Sequence, residues 1–239
     1  MQVKSIKTKI FREHEDLFSF VLKYVKIIRE NSILVVTSKI VSLSEGRVAG
    51  YKGEKTRANL IKTESDFILE NNILFTIKNN IVMAFAGVDE SNGNGKLTCL
   101  PKDSYKSAET LRKKLMRKFR LRNLGVLITD SGFMPLRNGA VGMAVGYAGF
   151  RGVRNYIGKK DIFGRILKMS KTNVADSLAA TAVLTMGEGK EQTPLAIIYD
   201  APVVFTDKTK RGEISVDQKK DMYGPLFANI KKYAKKNKR

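Results

Sequence analysis

The sequence predicts a mixed α+β fold, on three observations. Short apolar runs rich in β-branched and aromatic residues, at 33–37, 80–86, 124–129 and 194–199, stop at glycine or polar turn residues, as buried strands do. Two longer segments, 13–30 and 172–185, have helical character. The first repeats apolar residues at three- and four-residue steps, and the second is rich in alanine and leucine. Between them the chain is dense in glycine from Gly132 to Gly164, which calls for tight turns and close backbone approach instead of a long helix.

Length and composition narrow the possibilities. A chain of 239 residues can bury a proper core as one unit or two lobes, and no lobe boundary is legible. The 43% hydrophobic and 28% charged fractions are those of a globular chain with no stretch long enough to span a membrane, and the N-terminus lacks a leader's apolar block. A cytoplasmic protein is the expectation. A single cysteine, Cys99, allows neither an internal disulfide nor a thiolate metal site, and a single histidine, His14, argues against zinc on histidines. The formal charge of +21 attracts polyanions, whether nucleotide, polyglutamyl substrate or nucleic acid. The basic residues are nevertheless spread widely, so nucleic acid is not the expected partner. The tail at 231–239, K-K-Y-A-K-K-N-K-R, reads as a solvated end.

In chain order, an amphipathic helix is expected over 13–30, then the strand at 33–37. Ser38 and Lys39 follow at its exit, where a hydroxyl and a point charge can hold a phosphate, although the residues by themselves read as a solvated turn. Residues 50–72 look helical, with Leu60, Ile61, Phe67, Ile68 and Leu69 inward. A hairpin turns at Asn79-Asn80. Its second strand, 80–86, delivers Asp89, Glu90, Ser91 and Asn92 to a glycine-rich turn, Gly93-Asn94-Gly95. A basic helix is expected from Ser107 to Phe119, with its lysines and arginines in solvent. The strand at 124–129 ends in Asp130-Ser131-Gly132. The two acidic strand ends are either ordinary polar turns or halves of one hard-cation site. Neither a G-x-G-x-x-G fingerprint nor a Walker A loop occurs. Gly187 suits the C-cap of the helix at 172–185.

Four motifs in order, V-T-S-K-I-V-S-L-S-E-G-R, A-G-V-D-E-S-N, T-D-S and A-D-S-L-A-A-T-A-V-L-T-M-G-E, resemble the coenzyme F-420:γ-L-glutamyl ligase family over residues 32–200. The resemblance implies an α+β unit across 1–239 that forms an intertwined homodimer. It also implies a GTP-dependent ligase that joins L-glutamate to a carboxylate acceptor through an acyl phosphate, with two Mg²⁺ or Mn²⁺ ions per site. On that basis Asp89 and Asp130 hold one metal, Ser131 and Glu188 the other. Ser38, Lys39, Asn92 and the stretch Met186, Gly187, Glu188, Gly189 and Lys190 contact the nucleotide. No single catalytic side chain is assigned. The chain departs from the family at Leu43, where a lysine is usual, and at Asn79, where many relatives carry histidine. It departs again at Met134 and Leu136, which stand for an arginine and a tryptophan. The family's L-P-E-I nucleotide contact matches Thr8-Lys9-Ile10-Phe11 only loosely, which leaves GTP or ATP open. A folate-type acceptor, or a non-ligase protein that binds nucleotide or RNA, are the alternatives.

Overall fold

A computed structural model describes residues 1–69, 72–227 and 230–232. Its centre is a five-stranded sheet in the order β1 (Gln2–Ile6), β12 (Leu195–Tyr199), β2 (Ser32–Thr37), β8 (Leu124–Phe133), β9 (Ala140–Ala148). Only β2 and β8 run parallel in this sheet, with Thr37 opposite Thr129; the other pairs are antiparallel.

The central strands are apolar at nearly every position because helices cover both faces. Leu34, Val36, Val126 and Ile128 pack on α1 (Leu17–Tyr24), α2 (Ser38–Ser44) and α4 (Ser104–Phe119). Ile33, Val35 and Leu127 face the other way, onto α5 (Val174–Met186). The expected close approach at glycine occurs in β9. A Cβ on Gly142 would lie 2.6 Å from the Ala179 carbonyl oxygen of α5, and one on Gly146 would meet Ser104 of α4.

A second layer is built from β3 (Val48–Gly50), α3 (Glu54–Glu64), β4 (Phe67–Leu69), β5 (Asn72–Lys78), β6 (Ile81–Ala84) and β7 (Lys96–Thr98). β5 and β6 form the expected hairpin, with Asn79 and Asn80 both left-handed (φ +51° and +62°), as a tight two-residue connection requires. Ile61, Ile68, Ala86, Val88, Leu97 and Cys99 form this layer's own core. β10 (Val153–Asn155) and β11 (Lys171–Asn173) pair separately.

Several expectations are corrected. The helix read across 13–30 spans only Leu17–Tyr24, capped by Asp16, which accepts from the Ser19 amide at 2.8 Å. Val25 and Ile28 reach the core from extended chain, where β-branched side chains are less crowded. The helix read over 50–72 stops at Glu64, and residues 67–69 pair as β4. β6 ends at Ala84, and Phe85 and Ala86 then turn left-handed (φ +55° each). Thr76 clamps that turn: its hydroxyl donates to the Met83 carbonyl at 2.6 Å and accepts from the Ala86 amide at 2.7 Å. Asp130-Ser131-Gly132 is no turn, because β8 runs on to Phe133. α4 begins earlier, at Ser104, capped by Asp103. Arg112 is buried, not solvated; it donates to the Leu124 carbonyl (2.7 Å) and to Asp207 (2.6 Å). Of the tail, Ile230–Lys232 pairs with β4 as β13, and residues 233–239 lie outside the described residues.

One ion cluster ties the second layer together. The Glu64 carboxylate accepts from the Lys78 ammonium and, at 2.7 Å, from the Arg47 guanidinium. Burial alone would raise the Glu64 pKa, but the two cations outweigh it and hold the carboxyl below its ordinary value. A carboxyl depressed on folding contributes stability that is full above about pH 4.5 and is lost as pH falls through its folded value. Glu64→Gln should therefore destabilise the protein at neutral pH by about 3 kcal/mol. It should also flatten the acid limb of the stability curve, as denaturant titrations from pH 7 to 3 will measure. At the glycine contact, Gly142→Ala should cost about 1–3 kcal/mol, read as a lowered Tm.

Candidate functional site

The parallel pair creates the site. Thr37 and Thr129 are the last pair of the parallel ladder, so Ser38 and Asp130 lie side by side just past it, where β2 stops and β8 continues. Open α/β sheets bind ligands beyond the carboxyl ends of their strands. Ser38, buried in the first turn of α2, donates its hydroxyl to Asp130 Oδ1 at 3.1 Å.

Asp89 comes from the second layer. After the left-handed turn at Phe85 and Ala86, its backbone is pinned to Thr98 by two hydrogen bonds, of 2.9 and 2.7 Å. Ser91 fixes the carboxylate by donating its amide to Oδ1 (2.8 Å) and its hydroxyl to Oδ2 (2.7 Å). Lys39 closes the arrangement. Its ammonium donates to Asp89 Oδ2 at 2.6 Å, to the Ser91 carbonyl at 2.6 Å and to the Ser91 hydroxyl at 2.9 Å.

The two acids are tuned apart. Asp130 is pushed up to about 6, chiefly by burial; the Ser131 amide and Ser38 hydroxyl oppose this and the nearby Asp89 charge adds to it. For Asp89 burial also acts upward, but the Lys39 ammonium and the Ser91 donors overcome it and hold the carboxyl below its ordinary value.

Ser131 points the other way, as strand alternation demands. Its hydroxyl donates to Glu188 Oε1 at 2.6 Å, beyond the C-terminus of α5. Gly187, left-handed at φ +83°, caps that helix as expected. The Gly189 amide donates to Glu191 at 2.8 Å, so a carboxylate already sits against this glycine loop. Met186 is buried, and its carbonyl already accepts from the Thr193 hydroxyl, so of the stretch 186–190 it is the residue least open to a ligand. Glu188, Gly189 and Lys190 are exposed, as is Asn92, whose backbone is left-handed (φ +53°).

The expected residues thus fall into two groups at the end of β8: Ser38, Lys39, Asp89 and Asp130 on one face, Ser131 and Glu188 on the other. Among the described residues no three His, Cys, Asp or Glu side chains gather closely enough to hold a metal ion by themselves. The donor set nevertheless fits magnesium or manganese, which are commonly held by one or two carboxylates and completed by substrate phosphates and water. Ser91 went unassigned in the sequence, although its place two residues after an aspartate is the signature of a side-chain-closed turn.

A cavity of about 700 Å³ is walled by Asn80, Tyr105, Met134, Met143, Val145 and Arg211; Asp89 and Asp130 do not line it. Met143 is directly opposite Asp130 in the β8–β9 register, so both side chains stand on one face of the sheet. Of the four departures from the family pattern, Asn79 and Met134 line this cavity, Leu43 packs against the main core, and Leu136 is fully exposed.

Comparison with known proteins gives a consistent result. A family model described as F420-0:Gamma-glutamyl ligase matches residues 5–200. Coenzyme F420:L-glutamate ligase of Methanococcus maripaludis (strain C7) is 34% identical over 230 residues, covering 87% of this chain and 92% of the relative. The proteins of the same name from Methanocaldococcus jannaschii and Archaeoglobus fulgidus are 33% and 31% identical. They cover 86% and 79% of this chain, and 90% and 83% of their own lengths. No helix among the described residues is long and apolar enough to cross a membrane. A match across most of its length, together with relatives above 30% identity, means that the chain belongs to the F420-0:gamma-glutamyl ligase family.

Proposed function

We propose that the protein is a GTP- and divalent-metal-dependent ligase that joins L-glutamate through an amide bond to a carboxylate of a coenzyme F-420 precursor. The observation that carries the reading is the gathering of Asp89 and Asp130, with Ser38 and Lys39, where the parallel ladder of the central sheet ends. The names of the relatives supply the acceptor.

In this reading the γ-phosphoryl group of GTP passes to an acceptor carboxylate oxygen and GDP leaves. The glutamate nitrogen then attacks the acyl phosphate carbon, expelling phosphate and losing a proton. The divalent cations supply charge neutralisation on the transferring phosphoryl oxygens. Asp89 and Asp130 would hold the first and Ser131 and Glu188 the second. Ser38, already bonded to Asp130, orients that carboxylate. Lys39 adds a mobile positive charge for the phosphate chain, and Asn92 with the loop at 186–190 encloses the nucleotide. The cavity beside Met143 has the volume for a ring-bearing acceptor and opens on the sheet face that carries Asp130. Two copies are proposed to assemble. The segment joining β10 to β11 holds Ile162, Phe163 and Met169 at 91%, 89% and 87% exposure, an apolar arm suited to burial against a partner.

Two outcomes test this. Turnover, measured as glutamylated acceptor by mass spectrometry, should vanish in excess chelator and return with Mg²⁺ or Mn²⁺; full activity in chelator would end the metal assignment. Asp130→Asn keeps the shape and loses the charge. It should leave Tm nearly unchanged while turnover falls by roughly 10²–10³-fold, the scale of losing one electrostatic stabiliser. Asp89→Asn should behave alike, and the double variant should lose much less than the product of the two, because both acids serve one ion. Near-normal turnover in folded Asp130→Asn would remove Asp130 from the chemistry.

A further inference from the structure

The ammonium of Lys39 has the surroundings of a bound cation. A carboxylate oxygen of Asp89, the Ser91 carbonyl and the Ser91 hydroxyl lie 2.6, 2.6 and 2.9 Å from Nζ, and the side chain is 24% exposed. A lysine ammonium has three protons to donate, and three oxygens of one acidic loop receive them. An all-oxygen shell of carboxylate, carbonyl and hydroxyl is also what hard divalent cations select. Asp89 Oδ2 accepts from both Lys39 and the Ser91 hydroxyl, and Oδ1 accepts from the Ser91 amide. A divalent ion at Oδ2 therefore competes with the ammonium, because that oxygen already accepts two hydrogen bonds and the entering ion would also repel the lysine charge.

We propose that Lys39 is a tethered surrogate cation: it neutralises Asp89 in the metal-free protein and is displaced when a divalent ion enters, which frees its ammonium for the nucleotide's phosphates. The inference rests on the metal-dependent reading above and goes beyond it by coupling two ligands through one side chain. Lys39 lies in the first turn of α2, and its flexible four-carbon stem can swing without moving the helix or the Ser38–Asp130 bond. Metal drives the ammonium off Asp89, and phosphate holds it off, so each ligand favours the lysine position that the other requires. Their affinities are then reciprocally coupled. Metal without nucleotide is held weakly, which keeps the acid pair from retaining an ion that has no phosphate to act on.

The test is Mn²⁺ binding to the full chain without nucleotide, with free Mn²⁺ counted by electron paramagnetic resonance. Wild type, Lys39→Met, Lys39→Gln and Lys39→Arg are compared, with folding checked by circular dichroism. Lys39→Met and Lys39→Gln should bind Mn²⁺ about tenfold more tightly than wild type, the scale of removing one competing charge-assisted contact. Lys39→Arg should remain near wild type. Adding GDP should raise Mn²⁺ affinity less in the two neutral variants than in wild type. Equal or weaker Mn²⁺ binding in folded Lys39→Met and Lys39→Gln overturns the proposal and leaves the metal site standing. Loss of folding in both also overturns it, since Lys39 would then be a structural strut. Absence of Mn²⁺ binding from wild type and every variant, with GDP as well as without it, removes the metal-dependent reading itself.

Discussion

The parallel pairing of β2 with β8 is the constraint on which the rest depends. Parallel strands cannot be joined by a short turn, so the chain between Thr37 and Leu124 must leave the sheet and return. That excursion contains the whole second layer as well as α2 and α4. It starts where β2 stops, at Thr37, while the partner strand β8 runs on past that point to Phe133 with its β2-facing edge uncovered. A residue brought back by the second layer, Asp89, can therefore meet residues that follow the ladder on both strands. The acids converge because the topology obliges the excursion to pass over them.

Electrostatics sharpen this geometry. In a chain of +21 formal charge, two neighbouring carboxylates that share one lysine are an arrangement that folding must support. Support comes locally: Ser38 donates to Asp130, and Ser91 and Lys39 donate to Asp89. The difference between the two carboxyls follows, with the well-supplied Asp89 held down and the buried Asp130 pushed up. The basic background raises the local concentration of anionic substrates, and the acid pair gives cations a place among them. On the opposite face of β8, beyond α5, the Gly189 amide donates to the Glu191 carboxylate.

Much of this was legible in the sequence where one local rule acted alone. The apolar runs of β2 and β12, the Asn79-Asn80 turn, helix α5 and its Gly187 cap all follow from pattern and turn chemistry. Boundaries failed where tertiary packing overrode the pattern. Val25 and Ile28 keep a helix-like spacing but are buried from extended chain, and Phe67 and Ile68 were recruited into a sheet. Asp130 and Ser131 read as a turn because polar residues rarely continue a buried strand; here each finds a side-chain partner on its own side. Arg112 could not be told from its basic neighbours, since its partner Asp207 lies far along the chain. The candidate residues were found through family motifs. The division of those residues between two faces, and the grip of Ser91 on Asp89 and Lys39, became visible only with the fold.

Cys99 gives the second layer a built-in reporter. It is the chain's only thiol, it is buried in the same small core as Val88, and it directly follows Thr98, the residue that pins Asp89. Burial raises its pKa, so in the closed protein it is both shielded and protonated, and alkylating reagents have no thiolate to attack. Labelling then proceeds only during excursions that open this core, and its rate measures how often the scaffold beneath Asp89 comes apart. A ligand gripped by Asp89 would slow that clock without touching the sulfur.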